Sequence, residues 1–379
     1  MNILFIGPYR QNDEWGRKSR SMLKAIQNTD HSITCRPIYL SRNTTKDLSI
    51  NHKIEKSEFI IQPQYDILIQ FLLQPYAVYD GNVKKRIGIF NTETIPQTIP
   101  LGELTKELLM DEIWVENHNI EQNLQTMLNK YNANTQVVTV PPVLDLQHLP
   151  LTSPVSIRKA NPDLHDRFLF YYIGNVLDKK DGFEESCIAY LNAFTNTDNV
   201  ALAIATDSPI PQQDIEQAIN KCKNALSNKP LYSHPMITII KTPTGSLTQE
   251  ERVSLHIDGD CMVCPYYAVS HISNILEGLV YKSTPIVNKD NTLYEWFKED
   301  HLWGADSYEE LCNYKLPSPL YRFTCNELWH KPIVTSLMKT MINAYINKFE
   351  RDKKIEANSK MRQYFTKVSY DHVLTEPLI

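Results

Sequence analysis

The chain lacks a long run of basic residues and an apolar segment that could cross a bilayer. Lys and Arg total 39 against 44 Asp and Glu, and the formal net charge is −5. Because both signs are interspersed, the electrostatic signature of a nucleic-acid-binding protein is missing. No apolar window approaches the ~20 residues of a spanning helix. Residues 1–8 are also too short an apolar stretch for a secretory signal. We therefore expect a soluble, cytoplasmic protein.

Several catalytic and metal-binding motifs are also missing. The sequence contains no Gly-x-Ser-x-Gly, no His-Glu-x-x-His and no P-loop. Its 7 cysteines are an odd number scattered along the chain, which indicates reduced thiols rather than a disulfide framework. Cys261 and Cys264 have the spacing of a zinc or redox pair, but they lie in a strand pattern and no second pair follows. We interpret both as structural.

Length and pattern predict two α/β domains. A chain of 379 residues is too long for one ordinary core. Apolar strand patterns alternate with amphipathic helical ones, which favours parallel sheets. We predict strands at 3–6, 33–39, 67–71, 86–90, 113–115, 136–140, 168–173, 200–205, 236–240, 261–265 and 285–288, and helices at 19–26, 184–194, 214–226, 274–280 and 332–349. Residues 141–166 have the composition of a linker.

In the second half, a strand pattern ends at Gly174 and is followed by Lys179 and Lys180. Glycine at a strand end allows close approach of the backbone to a ligand, and a lysine can bind a diphosphate as a point charge. Lys180 is the better candidate and Lys179 the alternate. The competing interpretation is that both lysines are only solvated.

A second segment combines a strand, a polar loop, a helix with one carboxylate, and another strand. This order places the loop, the helix N-terminus and Glu277 at the carboxyl edge of a parallel sheet, where α/β folds bind nucleotides. Backbone amides of the loop could bind a phosphate, while Ser273 or Asn274 could instead cap the helix. The Glu277 carboxylate can accept two hydroxyl groups at once.

These segments resemble the retaining, nucleotide-sugar-dependent glycosyltransferases of the GT-B fold, family 4. Its donor-site signature is similar to Pro265-Tyr266 followed by Leu276-Glu277-Gly278, and its Asp-Glu-Ile-Trp segment is similar to residues 111–114. The resemblance implies two Rossmann-like domains facing each other across a cleft, with C-terminal helices crossing back to the first. We expect them at 1–148 and 149–345, with the terminal helices at 346–379.

The resemblance also implies roles for individual residues. The donor would be a UDP- or GDP-linked sugar, a co-substrate, bound by Gly174, Asn175, Lys179, Lys180, Ser270, His271, Ile272, Ser273, Asn274 and Glu277. Catalytic roles fall to Glu277, to Lys180 and, on the acceptor side, to Glu93. Arg10, Gly16, Arg17, Arg20 and His118 would join Glu93 near the acceptor.

Three features complete the expectation. Family members carry an arginine where this chain has Asn175 and a first glutamate where it has Val269. No cofactor or metal is expected, and Asp258-Gly-Asp260 is interpreted as a turn. The acceptor, a glycan, a lipid-linked molecule or another, and the oligomeric state are not predicted.

Two alternatives stay open. The chain could be a non-catalytic GT-B-like partner of an active glycosyltransferase, because it departs from the family at Val269 and Asn175. It could also be a DNA-base glycosyltransferase, which would require a basic groove and salt-sensitive DNA binding.

Overall fold

A computed structural model describes the chain except for residues 12, 40–49, 51, 73–76, 91–107, 147–148, 153–154, 207–208, 227–229, 231–232, 241–246, 268–271, 313–327, 372–373 and 375–379. The chain forms two compact units. The first contains Met1–His148, Leu311–Trp329 and Tyr364–Ile379, and the second contains Leu149–Glu310 and His330–Gln363.

A six-stranded parallel sheet forms the centre of the first unit. In spatial order its strands are Ser32–Pro37, Asn2–Gly7, Ile67–Phe71, Lys85–Ile89, Glu112–Val115 and Gln136–Thr139. Its helices include Glu14–Gln27, His52–Glu58 and His118–Lys130. The strand order reverses next to the first strand, as in doubly wound nucleotide-binding folds.

The C-terminal tail completes the core of this first unit. Tyr370 is fully buried, and its ring lies 5.3 Å from that of Trp114 in an edge-to-face contact. The Tyr370 hydroxyl donates to the Pro141 carbonyl at 3.0 Å, and the Asn28 side-chain amide donates to the Val368 carbonyl at 2.9 Å. Val368 and Tyr370 therefore belong to the same core as the first strands.

The second unit contains a four-stranded parallel sheet. In spatial order its strands are Cys261–Met262, Phe168–Ile173, Val200–Ala205 and Met236–Ile239. A parallel pair, Ile286–Asn288 with Trp303–Ala305, continues from it through a bridge between Val263 and Ile286. The strands Ser307–Leu311 and Leu328–Pro332 form a separate two-stranded sheet.

Helices connect the strands of the second unit. They include Ile157–Ala160, Phe183–Ala193, Gln212–Ala225, Gln249–Asp258, Ser273–Val280, Thr292–His301, Val334–Ile346 and Lys348–Asn358, and the last described helix of the chain is Met361–Lys367. None of the helices in the described ranges is long and apolar enough to span a membrane.

The predicted fold class, α/β with two Rossmann-like parts, is confirmed. The strands at 67–71, 168–173 and 200–205 coincide with the predicted ones. The predicted helix at 332–349 is wrong in its bounds, because it covers the end of a strand and parts of two successive helices. The second unit includes residues 346–363, which were predicted as part of the terminal helices, and the predicted domain bounds stay predictions.

Candidate functional site

The loop after the strand Phe168–Ile173, residues 174–182, is here called the lysine loop. Its Asp178 side chain accepts from the backbone N–H of Lys180 at 3.1 Å, which starts a single 3-10 turn. The backbone N–H of Asn175 donates to the Asp181 carboxylate at 2.7 Å. These bonds bring the predicted donor residues Gly174, Asn175, Lys179 and Lys180 together at the carboxyl edge of the sheet.

Lys180 is held close to its own loop. Its side chain is 12% exposed, and its ammonium lies 3.9 Å from the Asp178 carboxylate. The Lys180 carbonyl accepts from the backbone N–H of Tyr267 at 2.8 Å. The Lys180 side chain therefore extends from a backbone that is held by the loop containing Tyr267.

The neighbouring loop, residues 263–267, is here called the tyrosine loop. Tyr266 donates its hydroxyl to the Ile173 carbonyl at 2.9 Å. Gly182, at the end of the lysine loop, has φ of 67°, and a Cβ there would lie 2.5 Å from the Pro265 carbonyl oxygen. Glycine is needed for both reasons, since other residues adopt this conformation at a cost and would collide with the tyrosine loop.

Two lysines share one carboxylate beside these loops. The Lys179 ammonium lies 3.3 Å from Oε1 of Glu310, and the Lys331 ammonium lies 3.4 Å from Oε2. Burial lowers the pKa of Lys331, but the Glu310 carboxylate and the Tyr308 hydroxyl together outweigh burial, so that the pKa is raised. Lys179 also lies 5.8 Å from the centre of the Tyr267 ring. The cluster supplies two charged ammonium groups near the lysine loop.

Tyr267 connects this cluster to the helix that follows the lysine loop. Its hydroxyl donates to the Glu185 carboxylate in a short hydrogen bond. Burial, together with the charge of Glu185, raises the pKa of Tyr267. The phenol is therefore neutral at physiological pH and acts as a hydrogen-bond donor.

The helix Ser273–Val280 follows the tyrosine loop and is buried along its whole length. Ile272 occupies the N-cap position, and no side chain caps the helix. The alternative that Ser273 or Asn274 serves as the cap is therefore wrong, because both residues lie inside the helix. Their side chains are buried, with relative exposures of 4% and 2%.

Glu277 lies on this helix and forms an ion pair with Arg252. The Arg252 Nε donates to Oε2 of Glu277 at 2.7 Å, and Nη2 donates to Oε1 at 3.5 Å. The side chains are 8% and 3% exposed. Arg252 comes from the helix Gln249–Asp258, which begins with a capping box formed by Thr248 and Glu251.

A chain of polar groups continues from this pair into the core. The Nε2 of His256 lies 3.7 Å from Oε2 of Glu277. On the other side of the same ring, Nδ1 lies 3.0 Å from the hydroxyl of Tyr171, which donates to Ser283 at 2.8 Å. Burial raises the pKa of Tyr171 well above its ordinary value. Tyr171 belongs to the strand that leads into the lysine loop.

The acceptor-side candidates lie in the first unit. Arg10 forms a two-point ion pair with Glu58, at 2.7 and 2.8 Å. Arg20 is buried and donates to the carbonyls of Tyr9 and Gln11, which fixes the loop after the first strand. A Cβ at position 16 would lie 1.8 Å from the Gln11 carbonyl oxygen, so this close approach requires Gly16.

Two further acceptor-side candidates differ in exposure. Arg17 pairs with Glu14 at 2.7 Å and is largely covered, whereas His118 is exposed at the first position of the helix His118–Lys130. Glu93, Ser270 and His271 lie outside the described residues, as does Val269.

The acidic pair and the cysteine pair have structural contacts. Asp260 accepts from Arg158 and from the backbone N–H of Leu169, both at 2.7 Å. The thiols of Cys261 and Cys264 are buried and donate to backbone carbonyls of Thr284 and Ile286. Within the described parts of the chain, no group of three or more His, Cys, Asp or Glu could hold a metal ion.

Three residues of the candidate site were not predicted from the sequence: Arg252, Glu310 and Lys331. Arg252 precedes Glu277 by 25 positions, and Lys331 and Glu310 belong to strands that the pattern did not reveal. The available signal for Arg252 was the Glu277 carboxylate in a largely apolar helix. A buried carboxylate needs a cationic partner, so its presence predicts one.

Comparison with known structures identifies the fold of this chain. No family model matches the chain, and no curated protein matches its sequence. The N-terminal domain of trehalose-6-phosphate phosphatase from Candida albicans is 11% identical, with a TM-score of 0.61 over 97% of this chain and 93% of that one. The fold is of the GT-B type.

Two further structures agree with this fold. A structure described as trehalose-6-phosphate from E. coli, bound with UDP-2-fluoro glucose, is 9% identical, with a TM-score of 0.61 and coverage of 98% and 97% of the two chains. An α,α-trehalose 6-phosphate synthase from Burkholderia multivorans is 10% identical, with a TM-score of 0.54 and coverage of 96% and 95%. The family 4 assignment stays a prediction.

Proposed function

We propose that this protein is a glycosyltransferase that transfers a sugar from a UDP- or GDP-linked donor to an acceptor with retention of configuration. The observation that carries the proposal is the arrangement at the carboxyl edge of the second sheet. There the lysine loop and the tyrosine loop lie side by side, and the helix bearing Glu277 follows. The GT-B-type fold and the UDP-sugar bound to the E. coli structure support the proposal of a nucleotide-sugar donor.

The charged groups suit a nucleotide diphosphate. Lys180 would bind the diphosphate from the lysine loop, with Lys179 and Lys331 beside it, and Glu277 would accept hydroxyl groups of the ribose. Because lysines would neutralise the leaving diphosphate, no metal is needed in this proposal. Lys331 would also offset the missing family arginine, where this chain has Asn175.

The mechanism follows from these positions. The acceptor hydroxyl would attack the anomeric carbon on the face from which the nucleoside diphosphate leaves, so that the new glycosidic bond forms as the bond to the diphosphate breaks and the hydroxyl proton passes to the departing diphosphate. Positioning and charge neutralisation would supply most of the rate. The acceptor-side residues stay predictions, namely Arg10, Gly16, Arg17, Arg20, Glu93 and His118. The acceptor would be a glycan, a lipid-linked molecule or another hydroxyl compound, and a cytoplasmic location also stays a prediction.

The first test measures stabilisation of the purified protein by UDP, GDP, ADP and their sugar derivatives in a thermal shift assay. A ligand at a hundred times its dissociation constant adds ~2.7 kcal/mol to the free energy of unfolding. We expect one nucleotide to shift the midpoint, and Lys180→Ala to remove that shift. Lys221→Ala removes an exposed lysine of the same unit and serves as the matched control.

One observation favours a second candidate, a non-catalytic GT-B-like partner of an active glycosyltransferase. Glu277 is almost completely buried and paired with Arg252, as a purely structural carboxylate would be. This candidate predicts that no nucleotide stabilises the folded protein. The absence of any shift in a well-folded preparation would therefore contradict the enzyme proposal and support the partner.

A further inference from the structure

The ion pair between Arg252 and Glu277 joins the helix that follows the tyrosine loop of the proposed donor site to a helix that lies earlier in the chain. Glu277 lies on the helix that follows the tyrosine loop, and Arg252 lies on the preceding helix, Gln249–Asp258. The contact between Nε and Oε2 is short, at 2.7 Å, while the contact between Nη2 and Oε1 is at 3.5 Å. The guanidinium therefore contacts both carboxylate oxygens, and Oε2 is the closer of the two.

A carboxylate can accept from more than one donor. Its two oxygens offer about four acceptor positions, so that a guanidinium and a ribose hydroxyl can be bound together. The planar guanidinium also fixes the plane of the carboxylate, which a lysine ammonium would not do. The pairing thus sets the direction in which Glu277 can accept a further hydrogen bond.

We propose that Arg252 is a positioning residue that orients Glu277 to accept the ribose hydroxyls of the nucleotide. The inference rests on the proposed function, because it assigns a role at the same donor site. Arg252 acts only through Glu277 and does not touch the ligand. It makes selectivity for ribose over deoxyribose depend on a residue of a different helix.

The surroundings of the pair support a fixed geometry. His256, one turn along the same helix as Arg252, approaches the same oxygen, Oε2, from 3.7 Å. The ring of His256 is itself placed by Tyr171, whose hydroxyl also bonds Ser283. Since Tyr171 precedes the lysine loop on one strand, the carboxylate and the proposed diphosphate site share a rigid support.

The experiment measures dissociation constants for UDP, GDP and ADP and for their 2′-deoxy and 3′-deoxy analogues by calorimetry. We expect the wild-type protein to prefer the ribonucleotide by about tenfold or more, as a hydrogen bond to a charged group allows. Glu277→Gln should reduce that preference several-fold. Arg252→Lys and Arg252→Gln should reduce it as well, with Lys failing to rescue because it lacks the planar fork.

A matched control separates positioning from folding. Lys85 and Glu112 of the first unit form an ion pair of similar burial, with exposures of 7% and 6% against 8% and 3% for Arg252 and Glu277. Lys85→Gln should therefore lower stability without changing the preference for ribose. If Arg252→Gln does not fold, Arg252→Lys and the double variant Arg252→Lys/Glu277→Gln still provide the comparison.

The double variant decides whether Arg252 acts through Glu277. We expect Arg252→Lys to have no further effect on ribose preference once Glu277 is Gln. Equal weakening of ribo- and deoxyribonucleotide binding by Arg252→Lys would overturn the inference while leaving the proposed function intact. Failure of the wild-type protein to bind any of the three nucleotides would overturn both.

Discussion

Replacing Gly182 with alanine should destabilise the second unit, because this glycine of the lysine loop packs directly against the backbone of the tyrosine loop. Its φ of 67° lies in the left-handed region. The added Cβ would also lie 2.5 Å from the Pro265 carbonyl oxygen, whereas ordinary contacts of a Cβ begin at 3.4 Å. The obstacle is a backbone atom, so no side-chain rotation can relieve it, and an ordinary contact at 3.4 Å would require the two loops to separate by about 0.9 Å.

The magnitude has two parts. A residue other than glycine in the left-handed region costs about 1–2 kcal/mol. Forcing extra volume into a packed site costs about 1–3 kcal/mol more. We therefore expect Gly182→Ala to lower the free energy of unfolding by about 2–5 kcal/mol. For a unit of this size, that corresponds to a fall in the thermal midpoint of roughly 5–15 °C.

Urea unfolding followed by circular dichroism measures this change. Gly81→Ala is the control, because a Cβ there would come no closer than 3.4 Å to any neighbour and its φ is not positive. The control should change the free energy of unfolding by less than about 1 kcal/mol. A Gly182→Ala protein as stable as the control would refute the inferred contact between the two loops.

Two further predictions concern charged groups. Glu310→Gln should tighten the binding of inorganic pyrophosphate by about two- to fivefold in calorimetry, because the carboxylate competes with the ligand for Lys179 and Lys331; weaker binding would contradict this. Burial raises the pKa of Glu58, but the hydrogen bonds from Arg10 and Tyr9 outweigh it, and the folded-state pKa lies below the ordinary 4.5. The stabilisation by the Glu58 carboxylate is thus present above about pH 4.5 and is lost as pH falls through the folded-state pKa. In urea unfolding, the free energy of unfolding of the wild-type protein should therefore fall more steeply with acid than that of Glu58→Gln. Parallel curves of the free energy of unfolding against pH for the two proteins would contradict this prediction for Glu58.

The buried strands were predictable because parallel strands covered on both faces have nearly continuous apolar sequences. Phe168–Ile173 and Val200–Ala205 are of this kind, and each agrees with its predicted bounds. The helices His52–Glu58 and Gln249–Asp258 were missed because polar residues interrupt their apolar pattern. Their stability depends on packing, which a local pattern does not express.

The candidate site was predictable only in part. Lys179 and Lys180 were predicted as donor-binding residues because a glycine and two lysines follow a strand in order, and that role stays a prediction. The capping role of Asn274 was wrong, because the helix begins at Ser273 and its N-cap is Ile272, two positions before Asn274. Arg252 could not be found, since its contact with Glu277 depends on the packing of two helices and leaves no periodic signal.

The burial of Tyr370 affects when the first unit can finish folding during synthesis. In the first unit this residue packs against Trp114, yet about 220 residues separate His148 from Tyr370 in the chain. At roughly 5–20 residues per second, a ribosome takes roughly 10–45 s to make that stretch. During that time the nascent first sheet lacks its last packing partner and offers apolar surface to chaperones. A stop codon shortly before Tyr370 would make this exposure permanent.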